Sequence, residues 1–274
     1  SDHLDRVEKI TLFDASSIEY SYSPVHLNKI KRITKDAEWS HKITDRDLSG
    51  NVNQETFLKN AGTISYNYDT LGRFKKMCHR SFEQEVPENG YDCVGNLLSL
   101  VTKDSIGQET SSYAYDYLHQ LTQESGHANH NYSYDSLYNR RKLDDRDYHV
   151  NALHSLLNDT ENEYTHDLFG NRVAKQSATE TTRYTYDALD RMTCFEVENT
   201  LKVLYSYDAF HRRTKKTTFT YSDGNWQQEK EERFLYIDDR EIGMVNEQNE
   251  ICQFRVLGEG LGAEIGASVA FEID

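Results

Sequence analysis

The stretch "RYTYDALDRM" at residues 183–192 decides how this chain is interpreted, because near-copies of it occur elsewhere in the sequence. The copies are "SYNYDTLGRF" (65–74), "SYAYDYLHQL" (112–121), "NYSYDSLYNR" (131–140), "EYTHDLFGNR" (163–172) and "LYSYDAFHRR" (204–213). A catalytic residue is needed once in a protein, whereas a structural module is needed many times. The repetition therefore predicts a repeat architecture.

One aspartate marks each copy, and we call it the anchor. The anchors are Asp69, Asp92, Asp116, Asp135, Asp167, Asp187 and Asp208. Their separations centre on about twenty residues, which is a typical spacing for solenoid-scale repeats. The widest gap, between Asp135 and Asp167, predicts an insertion near residues 144–158. Within it, Asn151–Leu157 is the only short helix candidate.

Aromatic residues precede the anchors at two fixed positions. Positions two apart on a β-strand point to the same face, so each Tyr-x-Tyr pair places two rings on one side of a sheet. The anchor carboxylate can accept hydrogen bonds from backbone N–H groups just ahead of it, which predicts a tight turn. The large apolar residue two positions after the anchor is expected to be tucked under that turn.

The third position after the anchor needs a left-handed backbone, which glycine, aspartate and histidine tolerate. Tyr138 holds this position in one copy and predicts a different turn there. The residues of the predicted structural signature are Tyr66, Tyr68, Asp69, Gly72, Tyr91, Asp92, Gly95, Tyr113, Tyr115, Asp116, Tyr132, Tyr134, Asp135, Tyr164, Asp167, Gly170, Tyr184, Tyr186, Asp187, Tyr205, Tyr207 and Asp208.

The module is thus a strand, a tight turn and a second strand. Its repetition predicts an all-β fold, a meander of antiparallel hairpins. Degenerate copies at 20–30 and 38–47 and two strands around a turn near Asn246–Asn249 bring the total to about nine or ten units. We expect a single repeat domain over residues 1–274, with 233–274 as its C-terminal stretch.

The phrase Tyr-x-Tyr-Asp-x-x-Gly-[Arg/Asn], seen best at 66–74 and 91–97, resembles the YD repeats of the Rhs and teneurin superfamily. The resemblance covers about residues 20–258. It implies a β-ribbon that spirals into part of a hollow cage or barrel shell, which in bacterial Rhs toxins encloses a C-terminal toxic domain. The self-cleaving Asp-Pro core of that family has no counterpart in this sequence, because Ser23 and Val86 precede the two prolines.

By this resemblance, the partners are the remaining shell, core and cargo domain of a parent chain. A secretion apparatus or a cell-surface protein is a further candidate partner. The resemblance also implies a secreted or cell-surface protein, with a bacterial source expected. The opening "SDHLDRVEKI" has no apolar signal-peptide core, and no stretch is apolar enough to span a membrane.

The formal net charge of −15 argues against nucleic-acid binding, because phosphates repel such a chain. No cofactor and no metal site are expected. His127 and His130 lie in a polar loop without a third ligand, and the glycine-rich segment 258–266 lacks the Lys-Ser/Thr of a phosphate loop. Cys194 and Cys252 have no identifiable base. We therefore expect a protein that is not an enzyme.

Two functions remain open at this point. The first is a structural shell segment that encapsulates a toxin or effector. The second is an extracellular adhesion module that binds glycans or proteins through Trp39, Trp226 or the hairpin 218–228. A hydrolase whose site is unrecognised ranks last.

Overall fold

The computed structural model describes residues 2–57, 61–258 and 268–273. All of its named elements are β-strands: β1 (Lys9–Thr11), β2 (Ser17–Tyr22), β3 (Leu27–Ile33), β4 (Glu38–Arg46), β5 (Val52–Phe57), β6 (Gly62–Tyr68), β7 (Phe74–His79), β8 (Phe82–Glu85), β9 (Ser99–Lys103), β10 (Gln108–Tyr115), β11 (Leu121–Ser125), β12 (His130–Tyr134), β13 (Arg140–Leu143), β14 (Arg146–Val150), β15 (Leu156–Asp159), β16 (Asn162–His166), β17 (Arg172–Ser177), β18 (Thr181–Tyr186), β19 (Met192–Val197), β20 (Leu201–Tyr207), β21 (Arg213–Ser222), β22 (Asn225–Ile237), β23 (Arg240–Val245), β24 (Ile251–Leu257) and β25 (Ser268–Ile273).

The chain divides into two compact units, Ser1–His130 with Val256–Ala270, and Asn131–Arg255 with Phe271–Asp274. In the first unit, β1 to β11 pair in chain order, each strand antiparallel to the next. In the second unit, the strands from β12 to β24 pair in the same way. The predicted all-β meander of antiparallel hairpins is confirmed. The spiral, the hollow cage and the single domain over 1–274 stay predictions.

A β-bulge accompanies the anchors. In the hairpin of Asp69, Asn67 pairs with Lys76 but the next residue, Tyr68, pairs with Phe74, so the returning strand carries one extra residue. The same shift occurs just before Asp116, Asp135, Asp167, Asp187 and Asp208. A three-residue hairpin loop that ends in a left-handed residue requires such irregular pairing.

Few side chains of the described residues are fully buried, as expected for a meander of hairpins that leaves much of its sheet surface exposed. The largest of them are Arg32, Phe254, Ile18, Leu27, Ile30 and Val256. In the first unit, β2 and β3 supply Ile18, Leu27 and Ile30, and the hydroxyl of Tyr20 donates to the Leu257 carbonyl (3.3 Å). In the second unit, Glu232 is buried and ion-paired with Lys216 (3.1 Å) and Lys230 (2.7 Å).

The helix expected at Asn151–Leu157 is wrong. Residues 151–155 form a turn, and β15 begins at Leu156. The side-chain oxygen of Asn151 accepts the N–H groups of Leu153 (2.8 Å) and Ser155 (3.0 Å), and these bonds stabilise a turn in place of helical bonds.

Candidate functional site

The repeated turn is the structural centre of each module, and the turn of Asp187 shows its geometry. The N–H of Asp187 donates to the Arg191 carbonyl (3.0 Å), and the N–H of Asp190 donates back to the Asp187 carbonyl (3.1 Å). Oδ1 of Asp187 accepts the N–H groups of Leu189 (2.9 Å) and Arg191 (3.1 Å), while Oδ2 accepts Nε of Arg191 (2.8 Å). One side chain thus satisfies several polar groups that a tight loop would otherwise leave to water.

This turn occurs eleven times in the described chain. The same backbone bonds, and the same two N–H groups on the side-chain oxygen, are found at Asp2, Asp47, Asp69, Asp92, Asp116, Asp135, Asn151, Asp167, Asp187, Asp208 and Asn246. The anchors are therefore distributed one to a turn. In the described chain they do not gather at one site, although Asp47 and Asp69 of neighbouring modules line the same open pocket.

Four of these turns lack the aromatic pattern, namely those of Asp2, Asp47, Asn151 and Asn246, although the turn of Asn246 lies where the sequence predicts one, near Asn246–Asn249. The pattern required an aromatic residue before the anchor, and Asp47, Asn151 and Asn246 follow Arg46, Val150 and Val245. Ten of the eleven turns share an Asp or Asn followed three residues later by Gly, Asn, Asp or His, and the exception is Asp135 with Tyr138.

The expected insertion near 144–158 is wrong for the same reason. The turn of Asn151 lies midway between Asp135 and Asp167, 16 residues from each (151 − 135 = 16 and 167 − 151 = 16). The segment therefore contains a complete short module, with β14 and β15 as its strands.

Tyr138 adopts the same turn as the other copies, contrary to the expectation that its copy turns differently. Its φ is +65°, and its N–H donates to the Asp135 carbonyl (3.2 Å). The left-handed conformation costs an L-residue about 1–2 kcal/mol. The bonds from Leu137 and Asn139 to the Asp135 carboxylate hold the chain in that conformation.

The apolar residue two positions after the anchor is mostly exposed, so the expectation that it is tucked under the turn is wrong. Leu118 is half-buried, but at the other turns that carry an apolar residue here the exposed fraction runs from 54% at Leu4 to 83% at Phe169. Leu71, Val94, Leu137, Leu153, Leu189 and Phe210 lie within that range. The carboxylate and backbone bonds close the turn, and this side chain is left at the tip of the hairpin.

Tyrosine hydroxyls link successive modules. Tyr207, which precedes Asp208, donates to the carbonyl of Met192, five residues after the preceding anchor Asp187 (2.7 Å). Seven such bonds are seen in the described chain, always to the fifth residue after an anchor: Tyr22 to Val7, Tyr68 to Val52, Tyr91 to Phe74, Tyr115 to Leu97, Tyr186 to Arg172, Tyr207 to Met192 and Tyr236 to Arg213. Burial raises the pKa of Tyr207, which keeps its hydroxyl a donor.

Arginine reinforces this link where it holds the fourth position after the anchor. Arg191 pairs with Asp187 (Nη2–Oδ2, 2.7 Å) and lies over the Tyr207 ring, with 4.9 Å from its central carbon to the ring centroid. Its Nη1 also donates to the Asp208 carbonyl (3.1 Å). One guanidinium therefore contacts its own anchor and two groups of the next module. Arg6, Arg73 and Arg212 likewise pair with their anchors and lie over the rings of Tyr22, Tyr91 and Tyr236.

Asparagine at the same position makes a different link. Asn171 binds its own anchor Asp167 (3.1 Å) and donates to Asp190, the left-handed residue of the next turn (2.8 Å). Asn96 and Asn139 reach His119 (3.0 Å) and His154 (2.9 Å) at the equivalent position. A polar left-handed residue in one module thus matches an asparagine in the module before it.

The signature tyrosines three residues before the anchor have varied contacts. Tyr164 donates to Asp159 (3.0 Å), the Tyr184 ring lies 5.7 Å from that of Phe195, and Arg213 lies over Tyr205 (5.2 Å). Tyr113 lies on β10, and Tyr132 and Tyr134 lie on β12. Gly72, Gly95 and Gly170 occupy left-handed positions of their turns, and a Cβ added there would meet nothing within 4 Å.

Tyr66 belongs to a half-buried polar cluster that the sequence does not reveal. Its hydroxyl donates to Glu55 (2.7 Å), whose other oxygen lies 2.9 Å from Nε2 of His41. Burial tends to raise the pKa of Glu55, but the hydrogen bonds with His41 and Tyr66 outweigh it and lower that pKa. Burial and the bond to Glu55 raise the pKa of Tyr66. The cluster joins β4, β5 and β6 and is sealed on one side by Phe57, which stacks on His41 at 4.4 Å.

The anchors predict acid sensitivity. The side-chain hydrogen bond from Arg191 lowers the pKa of Asp187, loss of hydration opposes it, and backbone N–H bonds lower it further. The pKa is likewise lowered at Asp2, Asp47, Asp69, Asp92, Asp135, Asp167 and Asp208, and at Asp2 it falls to about 2. A carboxyl group whose folded pKa is depressed stabilises the fold above its unfolded pKa, and this stabilisation is lost as the pH falls through the folded value. We expect the urea midpoint to hold from pH 7 to 5 and to fall steeply below about pH 4.

Asp187→Asn is the matched variant for this titration, because Asn151 and Asn246 show that an amide oxygen can close the turn. The variant should shift less between pH 5 and pH 3 than the parent chain. Equal midpoints for the parent chain at pH 5 and pH 3 would contradict the assignment.

The other residues that the sequence offers for chemistry are the histidine pair at 127 and 130, the cysteines and the glycine-rich segment. His127 lies 3.4 Å from Glu109, and among the described residues no group of three or more His, Cys, Asp or Glu side chains is placed to hold a metal ion. Burial raises the pKa of Cys194, the opposite of what activates a thiol. The glycine-rich segment 258–266 lies outside the described residues, apart from its first residue. No helix of the described chain is long and apolar enough to cross a membrane.

The two tryptophans proposed for glycan binding lie in different units. Trp39 is on β4 in the first unit. Trp226 is on β22 in the second, edge-on to Tyr221 (5.0 Å) and beneath the ammonium group of Lys202 (5.5 Å). The two strands of the hairpin 218–228 pair antiparallel, and the Trp226 ring already contacts Tyr221 and Lys202.

Comparison with known proteins gives structural similarities alone. No family model matches the chain, and no curated protein matches it. A crystal structure of TcdB2-TccC3 aligns with 96% of this chain and 19% of its own length, at 12% identity and a TM-score of 0.44. A Tc holotoxin pore of Photorhabdus luminescens aligns with 96% of this chain and 18% of its own, at 12% identity and a TM-score of 0.43. A porin-like protein from Bacteroides uniformis aligns with 81% and 92%, at 10% identity and a TM-score of 0.22. The chain spans about a fifth of the length of the first two structures.

Proposed function

We propose that this chain is a structural segment of a β-shell and that its function is not enzymatic. The observation that carries the proposal is the repeated turn, whose anchors close hairpins and whose tyrosines and arginines bind one module to the next. An enzyme active site would bring its polar side chains together in one place. In the described chain, the anchor carboxylates, tyrosine hydroxyls and guanidinium groups instead bond to the turns and strands of successive modules.

The bonds between successive modules suit the wall of a β-shell. Each module binds chiefly its neighbours in sequence, so the structure can extend by repetition without a new kind of interface. The hydrogen-bonding groups at the ends of the strands are occupied by the anchors and by the tyrosine hydroxyls, which reduces the exposed polar backbone at the turns.

The purpose of the wall follows from the sequence resemblance to Rhs YD repeats. We propose that the wall encloses a C-terminal toxin or effector of an Rhs-type secreted bacterial protein. Its partners would then be the remaining shell, core and cargo of its own parent chain. Sequestration would exclude proteases and host components from the cargo until release.

Protease protection tests this function. The complete gene product is treated with a broad-specificity protease, and the C-terminal cargo is followed by mass spectrometry beside the same cargo expressed alone. We expect cleavage of the cargo to be at least about tenfold slower within the complete product, which corresponds to an opening free energy of about 1.4 kcal/mol or more. Equal cleavage rates for the enclosed and the free cargo would exclude encapsulation.

Two glycine variants test whether protection of the cargo depends on the folded sheet of this segment. Gly243→Ala inserts a Cβ against the backbone of the neighbouring strand, whereas Gly170→Ala meets nothing. Protection should weaken in the first variant and persist in the second. Protection that persists equally in both would show that the cargo resists proteolysis without this segment.

A further inference from the structure

A cavity of about 670 Å³ lies on one face of β8, β9 and β10 in the first unit. The strand register explains why its side chains share that face. Gln84 pairs with Thr102, Thr102 pairs with Glu109, and Leu100 pairs with Ser111, so these residues form two adjacent cross-strand rows. The volume is within the range of pockets that hold small molecules, about 300–1,000 Å³.

Aromatic and apolar side chains form much of the cavity wall. Phe82 lies two residues from Gln84 on β8, and Tyr113 lies two residues from Ser111 on β10, so both rings are on the cavity face. Ile106, at the turn between β9 and β10, contributes an apolar edge that is 94% exposed. Both kinds of group can bury the apolar part of a ligand.

One rim of the cavity is built by a close approach of backbone to backbone. A Cβ at Gly126 would lie 2.5 Å from the Thr110 carbonyl oxygen and 2.8 Å from Cα of Ser111. The absence of a side chain at Gly126 therefore lets the turn after β11 sit directly on β10. This contact places His127 on the cavity, with Nδ1 3.4 Å from Glu109.

The charges of the cavity have one sign. Asp104 and Glu109 line it, and no Lys or Arg is among the described residues that do so. Backbone N–H groups of Gly107 and Ile106 bind Asp104 (3.0 and 2.7 Å) and lower its pKa, so it is ionised at neutral pH. An anion entering this cavity would meet two carboxylates, and the one imidazole among the described lining residues, His127, already contacts Glu109.

We propose that this cavity binds a small organic cation that carries an apolar or aromatic group. Glu109 and Asp104 attract the positive charge, and the faces of Phe82 and Tyr113 accept the cation and its apolar body. Hydroxyl and amide groups of Thr102, Ser111 and Gln84 are available to orient polar substituents. The proposal depends on the cavity alone and does not rest on the shell function.

Three probes of similar size and different charge test this proposal by isothermal titration calorimetry on the intact chain. They are benzyltrimethylammonium, the neutral benzyl alcohol and the anion benzoate. We expect saturable binding of the cation with a Kd on the order of 0.1–1 mM, at least about tenfold tighter than benzyl alcohol, and no binding of benzoate. Equal affinities for the cation and the alcohol, or no saturable binding of the cation up to about 10 mM, would overturn it.

Matched variants separate the cavity from the general negative charge of the protein. Glu109→Gln should weaken binding of the cation by about fivefold or more, and Thr102→Arg should abolish it. Glu83→Gln makes the same charge change on the opposite face of β8, where Glu83 pairs with Lys76 (3.2 Å), and should leave the Kd within about twofold. An equal loss in Glu109→Gln and Glu83→Gln, with unchanged melting temperatures, would contradict binding in this cavity.

Discussion

Replacing Gly243 with alanine is expected to lower the free energy of unfolding by about 3 kcal/mol or more. Gly243 has a φ of +155°, and a Cβ at this position would press on the carbonyl oxygen of Gln253 in the neighbouring strand. That oxygen belongs to the backbone of β24, so it cannot turn aside as a flexible side chain would. Since β23 pairs with both β22 and β24, relief of the contact would disturb two ladders. Urea denaturation followed by circular dichroism measures the loss.

Gly170→Ala is the control that separates backbone strain from the steric contact. Gly170 also has a positive φ, +88°, but a Cβ there meets nothing within 4 Å. Its loss should be about 1 kcal/mol, the cost of a left-handed alanine. Similar losses for the two variants would mean that strain alone governs Gly243.

Tyr207→Ala is expected to cost about 2–3 kcal/mol, because it removes a half-buried ring together with the links that the ring makes between modules. The hydroxyl bond to the Met192 carbonyl and the contact with Arg191 are lost together. Tyr207→Phe keeps the ring and the cation–π contact and removes the hydrogen bond alone, so it should cost about 1 kcal/mol. Thermal and urea unfolding of the three chains gives both differences.

Tyr117 provides the matched control for the loss of a ring. It lies beside the anchor Asp116 but is 88% exposed, so Tyr117→Ala should change the free energy of unfolding by less than about 0.5 kcal/mol. A loss in Tyr207→Ala no larger than in Tyr117→Ala would refute the role of the hydroxyl links. A Tyr207→Phe variant as stable as the parent chain would assign the whole effect to the ring.

The sequence predicts the hairpins well because the evidence for them is local. Alternation of Tyr184 and Tyr186 indicates a strand, and Asp187 with its following residues indicates the turn. Both features depend on positions a few residues apart, where spacing along the chain determines spacing in the structure. The turn at Asn151 does not follow from the aromatic pattern, because Val150 precedes it, whereas the turn itself depends on a side-chain oxygen. The turn at Asn246 lies where the sequence predicts one.

The contacts between modules could not be predicted in the same way. The bond from Tyr207 to Met192 and the match of Asn171 with Asp190 join residues 15 and 19 positions apart. Which residues meet at such a separation depends on the register of the strands and on the bulge before each anchor. The exposure of Leu71 and Phe169 could not be predicted either, because an apolar residue near a turn does not indicate whether other residues cover it. The cavity beside Phe82 and Tyr113 could not be predicted because it forms only when three strands pair in a particular register.

The tyrosine hydroxyl bonds have a direction, since the donor always lies later in the chain than the acceptor. The hydrogen bond that links two modules is therefore made when the later module is present. Because a ribosome releases the N-terminal end of the chain first, each acceptor carbonyl emerges before its tyrosine donor. Folding can then advance during synthesis, since each newly emerged tyrosine can bond to the hairpin that was synthesised before it.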